Sequence, residues 1–317
     1  MKRGVVFWIV LAVLLAALPP VATALGQTFY IDQVRRILIL AIAATSLNLI
    51  LGYGGMVSFG HAAYLGIGAY SVGILAFYGV TSGWLQWAVA IGASALVALA
   101  IGAVSIRTSG IYFIMITLAF TQMLYYLGIS LELFGGDDGM RLKAKSAFPL
   151  ADLRDPVQFY YIVLAVLLLS IFLIHKLTNS RFGMVLRAAK SNEARSRAIG
   201  FSPYPYRLAA FVIAGALCGL AGALYANHTN YIVPGLMSWV QSGDLMFMVI
   251  LGGMGSAPGP VLGAFVFILL EELLKSLLGL KSPDWAEHWA LLMGPLLVLS
   301  VIFFRRGLAG LVAREHG

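Results

Sequence analysis

The residues able to do chemistry are few and scattered. The chain has five histidines and one cysteine, Cys218, in 317 residues, so it can form no internal disulfide and no cysteine-based metal site. It contains no Gly-x-x-x-x-Gly-Lys-Ser/Thr loop and no Gly-Lys pair to cradle nucleotide phosphates. It also lacks a His-Glu-x-x-His pair and a Gly-x-Ser-x-Gly elbow. His61 stands near the start of an apolar run, where it serves either as a proton carrier or as a histidine satisfied by a neighbouring helix. Asp244, Glu271 and Glu272 are the acidic residues inside apolar stretches, and Lys275 lies three or four residues beyond the two glutamates, within helical pairing distance. The apolar runs before residue 150 hold no Asp, Glu, Lys or Arg in their interiors. Proton relays need such groups in the bilayer, so the pattern suits a path for a neutral or zwitterionic solute driven from outside the chain. An ion-coupled secondary transporter of a small solute, using Asp244, Glu271, Glu272 or His61, is the alternative. An enzyme reading finds no candidate site, and the sequence calls for no cofactor and no metal.

The elements that must position these residues are set by composition. Hydrophobic residues make up 61% and charged residues 11%, against about 25% charged in a soluble domain, so most of the chain must meet lipid. A bilayer core takes about 20 apolar residues per helix. Ten such runs are expected near 7–25, 37–51, 56–78, 84–106, 111–131, 157–177, 207–227, 240–254, 259–277 and 287–304. The expected fold class is therefore all-α: one polytopic membrane domain over 1–317 with about ten transmembrane helices. The basic segment 178–207 holds Arg181, Arg187, Lys190, Arg195, Arg197 and Arg207 against Glu193 alone. The positive-inside rule puts it in the cytoplasm, which by alternation places both N and C termini in the cytoplasm and the loop 132–156 outside. The outer basic residues include Arg35, Arg36, Arg141, Lys143, Lys145, Arg154 and Lys281. They are offset by Asp32, Asp137, Asp138, Asp284, Glu287 and other acids, while Arg305, Arg306, Arg314 and Glu315 fall inside. The net charge of +8 is thus a topology signal, and no nucleic-acid partner is expected. The first run also fits a cleavable secretory leader, with Lys2-Arg3, an apolar stretch and Ala22-Thr23-Ala24.

Glycine supplies the second pattern. Gly54-Gly55-Met56-Val57-Ser58 recurs in degenerate form as Gly252-Gly253-Met254-Gly255-Ser256, each beside a glycine-rich span. Either this is an internal repeat with interrupted helices, the device transporters use to line a pathway, or glycine is simply common in packed membrane helices. Gly215 with Gly219, and Gly255, Gly259 and Gly263, put small residues on one helical face for close packing. In the basic segment, a first short helix breaks near Ser191 and Asn192, and a second ends at Gly200, where glycine suits a C-terminal cap. Such a pair is either a docking ledge or a basic loop on lipid head groups.

Five blocks carry a family resemblance. They are Ser46 to Ala63 around Gly-Tyr-Gly-Gly-Met-Val-Ser-Phe-Gly-His; Gly110 to Phe113 with Thr117 to Phe120; Gly135 to Gly139; Ser180 to Gly183 through Asn192-Glu193 to Gly200; and Leu251 to Ser256 with Gly259 to Ala264. Together they resemble the membrane permease subunits of ATP-driven importers for branched-chain amino acids, a family that includes urea and short-amide permeases. The resemblance implies a non-catalytic inner-membrane subunit that forms the translocation pathway. The implied partners are a second homologous permease subunit, two cytoplasmic ATPase subunits, an extracytoplasmic solute-binding protein and the lipid bilayer. On that picture Arg181, Gly183, Arg187, Asn192, Glu193 and Gly200 belong to the ATPase-coupling segment, although Ala194-Arg195-Ser196-Arg197 departs from the family's alanine-rich usage. Asp138 and Gly139 mark the external mouth, with a plain Asp-Gly turn as the alternative. For the pathway, polar residues at the glycine breaks point to Asn48, Ser58, His61, Thr117, Gln122 and Ser256, since irregular backbone is tolerated where it lines a cavity. For each of these six the alternative is an interhelical packing hydrogen bond.

Overall fold

A computed structural model describes residues 2–149, 151–279, 288–303 and 307–312. The expected charges Lys281, Asp284 and Glu287 on one side, and Arg305, Arg306, Arg314 and Glu315 on the other, lie outside these residues. Ten apolar helices are present among the described residues: α1 (Lys2–Ala24), α2 (Thr28–Asn48), α3 (His61–Phe77), α4 (Gly83–Ser105), α5 (Ile111–Ser130), α6 (Pro156–Thr178), α9 (Pro203–Thr229), α10 (Trp239–Gly252), α11 (Gly259–Gly279) and Trp289–Phe303. Two short helices, α7 (Arg181–Ser191) and α8 (Glu193–Ala198), lie between α6 and α9. The chain is an all-α polytopic membrane protein, and among the described residues strands are confined to two-residue pairs.

The axis of the bundle is α2 with its π-helical extension Leu49–Tyr53. Every residue from Ile37 to Gly54 is buried, as expected of a helix apolar on all sides, and α2 packs on α6, α9, α10 and α11. The expected span 37–51 is thus too short at its start, because Asp32, Arg35 and Arg36 are charged yet helical. Arg35 is only 4% exposed, and its guanidinium is fully engaged. It pairs with Asp32, donates from Nε to His228 Nδ1 (3.0 Å) and from Nη1 to Pro156 O (3.4 Å), and stacks 4.7 Å from the Phe159 ring. A charge so surrounded can be buried, and here it ties α2 to α6 and α9.

Small residues set the second contact, among α3, α4 and α9. A Cβ at Gly68 would overlap the Gly219 carbonyl, one at Gly222 would overlap the Leu65 carbonyl, and one at Gly215 would press on Ala98. The expected packing role of Gly215 and Gly219 is met. Likewise Gly263 abuts the Met248 carbonyl and Gly259 the end of α10, but α11 begins only at Gly259, so Gly255 belongs to the preceding break and not to a helical face.

Opposite the basic segment, the loop 132–156 carries two single 3-10 turns and a β1 pair (Met140–Arg141) joined antiparallel to Tyr231–Ile232. It ends where Asp155 caps α6 by accepting from Val157 N at 2.9 Å.

Candidate functional site

Three of the apolar helices, α3 with 17 residues, α10 with 14 and Trp289–Phe303 with 15, are shorter than about 30 Å of hydrocarbon requires at 1.5 Å per residue, and the first two meet. α3 follows the non-helical stretch 54–60, and α10 follows a short 3-10 turn, Pro234–Met237. Their N-terminal ends meet. The Ser242 hydroxyl of α10 accepts a 3.0 Å bond from the Ala62 amide in the first turn of α3, and the Phe59 and Trp239 rings lie 6.5 Å apart. The amides of a first helical turn have no intrahelical partner, so α10 lends α3 an acceptor that its own backbone lacks. Ser238 caps α10 by accepting from Gln241 N, and Ser58 Oγ accepts from Gly60 N at 3.1 Å. Two helix N-termini aimed at one place create positive potential there, and discontinuous helices of this kind present their positive ends to anionic groups of a solute.

A second cluster joins the two glycine breaks to the basic end. Asn48 Oδ1 accepts from Gly255 N at 3.0 Å, and its Nδ2 donates to Ser256 O at 2.7 Å, which fastens the end of α2 to the break between α10 and α11. Lys190 of α7 donates to Gly52 O at 2.6 Å, and its stem packs over Gly55, where it fills the place of a Cβ and where a φ of +68° favours glycine. Arg207 of α9 donates to Glu193 Oε2 (2.6 Å) and to Ala189 O (3.2 Å), and Arg197 donates to Glu193 Oε1 at 2.6 Å. Partial burial pushes the Glu193 carboxyl up, but the hydrogen bonds and charges of Arg207 and Arg197 outweigh it and hold it below the ordinary glutamate value. The α7–α8 ledge is therefore bonded both to the α2 terminus and to α9.

Of the six expected pathway residues, Asn48, Ser58, His61, Thr117 and Ser256 belong to or touch these two clusters, and most have protein partners. Asn48, Ser58, His61 and Thr117 are fully buried. His61 Nε2 shares a 2.8 Å bond with Ser46 Oγ, while its Nδ1 has no partner. Thr117 donates to Ile114 O at 3.0 Å and lies against Gly60. The Gln122 carbonyl oxygen is buried and unpartnered, whereas Ser256 contributes its backbone oxygen to Asn48. On the ledge, Asn192 caps α8 by accepting from Arg195 N, Gly183 packs on Thr178, and Gly200 ends α8 with φ +91°. Arg181 and Arg187 are exposed, as are the apolar side chains Met184, Ile199 and Phe201. At the opposite end the Asp138 carbonyl accepts from the Tyr231 hydroxyl, and Gly139 abuts Ile232 O. Among the carboxylates of the ion-coupled reading, Glu271 is paired with Lys275 at 2.5 Å, and Glu272 with Arg36 at 3.6 Å and Gln33 at 3.0 Å.

Sequence reasoning missed Phe59, Trp239 and Ser242 as partners, and Lys190 and Arg207 as links. The signal for Ser242 was a serine three residues past an apolar start. The lysine and arginine were counted only as charges.

Comparison with known proteins bears on the same residues. The family described as branched-chain amino acid transport system / permease component matches residues 29–301. The chain is 28% identical over 302 residues to the high-affinity branched-chain amino acid transport system permease protein LivM of Salmonella typhimurium, covering 88% of this chain and 69% of that one. It is 27% identical over 313 residues to the probable LivM of Methanocaldococcus jannaschii, covering 84% and 89%. It is also 29% identical over 117 residues to the probable LivH permease of the same organism, covering 35% and 34%. No solved structure matches the chain.

Proposed function

Because this chain belongs to the branched-chain amino acid transport system permease family, a family of multi-pass membrane transport subunits, we propose that it forms half of the translocation pathway of an importer driven by separate ATPases. The proposed cargo is a branched-chain or similar neutral amino acid. Likeness to both LivM and LivH relatives supports a second, homologous permease as the other half, with two ATPase subunits, one of them receiving this chain's ledge, and an extracytoplasmic binding protein at the end that carries Asp138 and Gly139. The basic segment then faces the cytoplasm.

The observation that carries the reading is the meeting of two short helices within the bundle, bonded from Ala62 to Ser242. Around it, Ser58, His61, Thr117 and Gln122 offer polar groups to the carboxylate and ammonium of a zwitterion, and Asn48 and Ser256 hold the glycine breaks below it. The ledge transmits ATPase closure through Lys190 and Arg207 to these breaks, tilting the helices they join; packed elements with two discrete arrangements convert small shifts into such switching.

The test is reconstitution of this chain in liposomes with its second permease, ATPases and binding protein. ATP-dependent leucine uptake that disappears when this chain is left out supports the reading. Uptake that persists without it, or gradient-driven uptake by this chain alone, overturns it.

A further inference from the structure

At the end opposite the ledge, a cavity of about 290 Å³ opens between the first turn of α6 and a small hairpin, Ala147–Phe148 paired with Ala151–Asp152. Lys145, Ser146, Phe148, Asp152, Arg154 and Gln158 line it. Its floor is fixed by buried hydrogen bonds. The Ser146 amide donates to Asn227 Oδ1 (2.8 Å), Asn227 Nδ2 donates to Ser146 Oγ (2.8 Å), and that hydroxyl donates to Gln86 Oε1, so α9 and α4 both hold the segment that carries Lys145 and Phe148. The Phe148 ring lies edge-on to Trp84 and Trp87, with centroids 5.3 and 4.8 Å away. The walls carry both signs of charge, largely unpaired. Lys145 Nζ reaches only the Leu153 carbonyl, at 3.4 Å, and burial and the Arg35 guanidinium pull its ammonium below the ordinary lysine value. Arg154 is exposed and donates from its backbone amide to Asp152 Oδ1 at 2.8 Å; among the described residues its guanidinium has no hydrogen-bond or ion-pair partner. Asp152 is exposed too, and Gln158 Oε1 accepts its amide at 3.0 Å, which leaves Gln158 Nε2 a free donor. Depth selects the ligand. Trp84, 64% exposed, stands in the first turn of α4, and Gln158 in the first turn of α6. Both spans leave most of their surface unburied, and an exposed tryptophan at the start of such a span marks the level of the lipid head groups.

We propose that this cavity is a head-group site for a zwitterionic phospholipid of the phosphatidylethanolamine class, in the leaflet opposite the ledge. The phosphodiester lies between Lys145 and Arg154 with Gln158 Nε2 as a further donor, and the primary ammonium reaches the Asp152 carboxylate; bonds of this charge-assisted kind are the strong ones. Asp152 sets the selectivity. Phosphatidylglycerol offers it no cation, and the trimethylammonium of phosphatidylcholine has no N–H to donate to it. An acidic side chain of a partner protein would face the same carboxylate across the cavity and be repelled. Once held, the head group joins α6 to the hairpin, which Ser146 already joins to α4 and α9, so the lipid becomes part of the wall at that end.

The test is native mass spectrometry of the full chain, delipidated in mild detergent and titrated with phosphatidylethanolamine, phosphatidylglycerol or phosphatidylcholine carrying the same acyl chains. The wild type is expected to hold one phosphatidylethanolamine about fivefold more tightly than either other lipid, as one exposed charge pair allows. Arg154→Gln should weaken that binding by a similar factor, and Asp152→Asn should erase the preference over phosphatidylglycerol. Arg141→Gln, an exposed change on the same loop outside the cavity, should do neither. Size exclusion checks that each variant elutes as the wild type does; should Arg154→Gln aggregate, Gln158→Leu carries the same readout. Equal affinity for the three lipids, full binding by Arg154→Gln, or displacement of the lipid by L-leucine overturns the site. So does loss of binding-protein capture by Arg154→Gln while phosphatidylethanolamine binding is unchanged, which would make the cavity a protein dock.

Discussion

Lys190 Nζ donates a 2.6 Å hydrogen bond to the carbonyl of Gly52, joining the ledge helix α7 to the last turn of the central helix across 138 residues of sequence. The carbonyl is free to accept because the π-helical turn Leu49–Tyr53 and the glycines after it end the regular ladder, and the last carbonyls of a helix have no partner within it. The lysine stem lies over Gly55, where any side chain would displace it. Sequence, local geometry and function meet here, because two glycines make the opening that one basic side chain fills.

Lys190→Met is therefore expected to uncouple import. It keeps the stem's packing but removes the donor; a hydrogen bond to a charged group is worth about 1.5–3 kcal/mol, and the lysine's exposure argues for the low end. ATP hydrolysis by the assembled complex should remain while leucine uptake per ATP falls about tenfold, and Lys190→Arg should recover much of it. Equal loss of hydrolysis and uptake would show that Lys190 merely holds the complex together.

Glu193 makes ledge integrity depend on pH in a defined direction. Its carboxyl is held below the ordinary value by Arg207 and Arg197, so its contribution is fully present above the unfolded value, about 4.3, and is lost only as pH falls through the lowered folded value. Co-purification of the ATPases should be flat through neutral pH and decline only in acid. Glu193→Gln should weaken it at every pH and remove the acid limb, which a pull-down across a pH series reads directly.

The glycine contacts separate packing from propensity. Gly68→Ala and Gly222→Ala each drive a Cβ into a carbonyl of the facing helix, and overpacking of this kind costs about 1–3 kcal/mol. Gly92→Ala, with open space at its Cβ in α4, should be neutral or favourable by up to about 1 kcal/mol. Melting in mild detergent, followed by size-exclusion recovery, should drop for the first two and hold or rise for the third.

Much of this arrangement was legible in the sequence, and the failures share a cause. All ten apolar helices were foreseeable because lipid demands length and hydrophobicity, and the ledge break at Asn192 was foreseeable because asparagine caps α8 locally. The start of α2 was not, since Arg35 is acceptable inside only because His228, Asp32, Pro156 and Phe159 come from elsewhere to meet it. For the same reason the expected span 56–78 lost its first residues: glycine predicts a break, but its length is set by where Ser242 and Thr117 stand. Asn48 was singled out as a pathway residue, yet its partners Gly255 and Ser256 lie more than 200 positions away, and a single chain read without contacts names the residue but not the clamp.

The same dependence on a distant partner gives the sharpest test of the helix junction. Ser242→Ala removes the acceptor for the Ala62 amide, a buried donor in the first turn of α3, and an unpaired buried amide costs about 1–3 kcal/mol. Ser71 is the control, because its hydroxyl bonds only to Ile67 O of its own helix at 2.7 Å, so Ser71→Ala leaves no backbone donor bare. Ser242→Ala should lower the melting temperature in detergent and reduce leucine uptake several-fold in assembled liposomes, while Ser71→Ala should change both far less. If the two variants behave alike, the Ala62 amide has found water or another acceptor, and the two short helices do not depend on each other at their N-terminal ends. If they differ as expected, the junction is an element whose opening carries an energetic cost, as a gate driven by ATPases on the ledge requires.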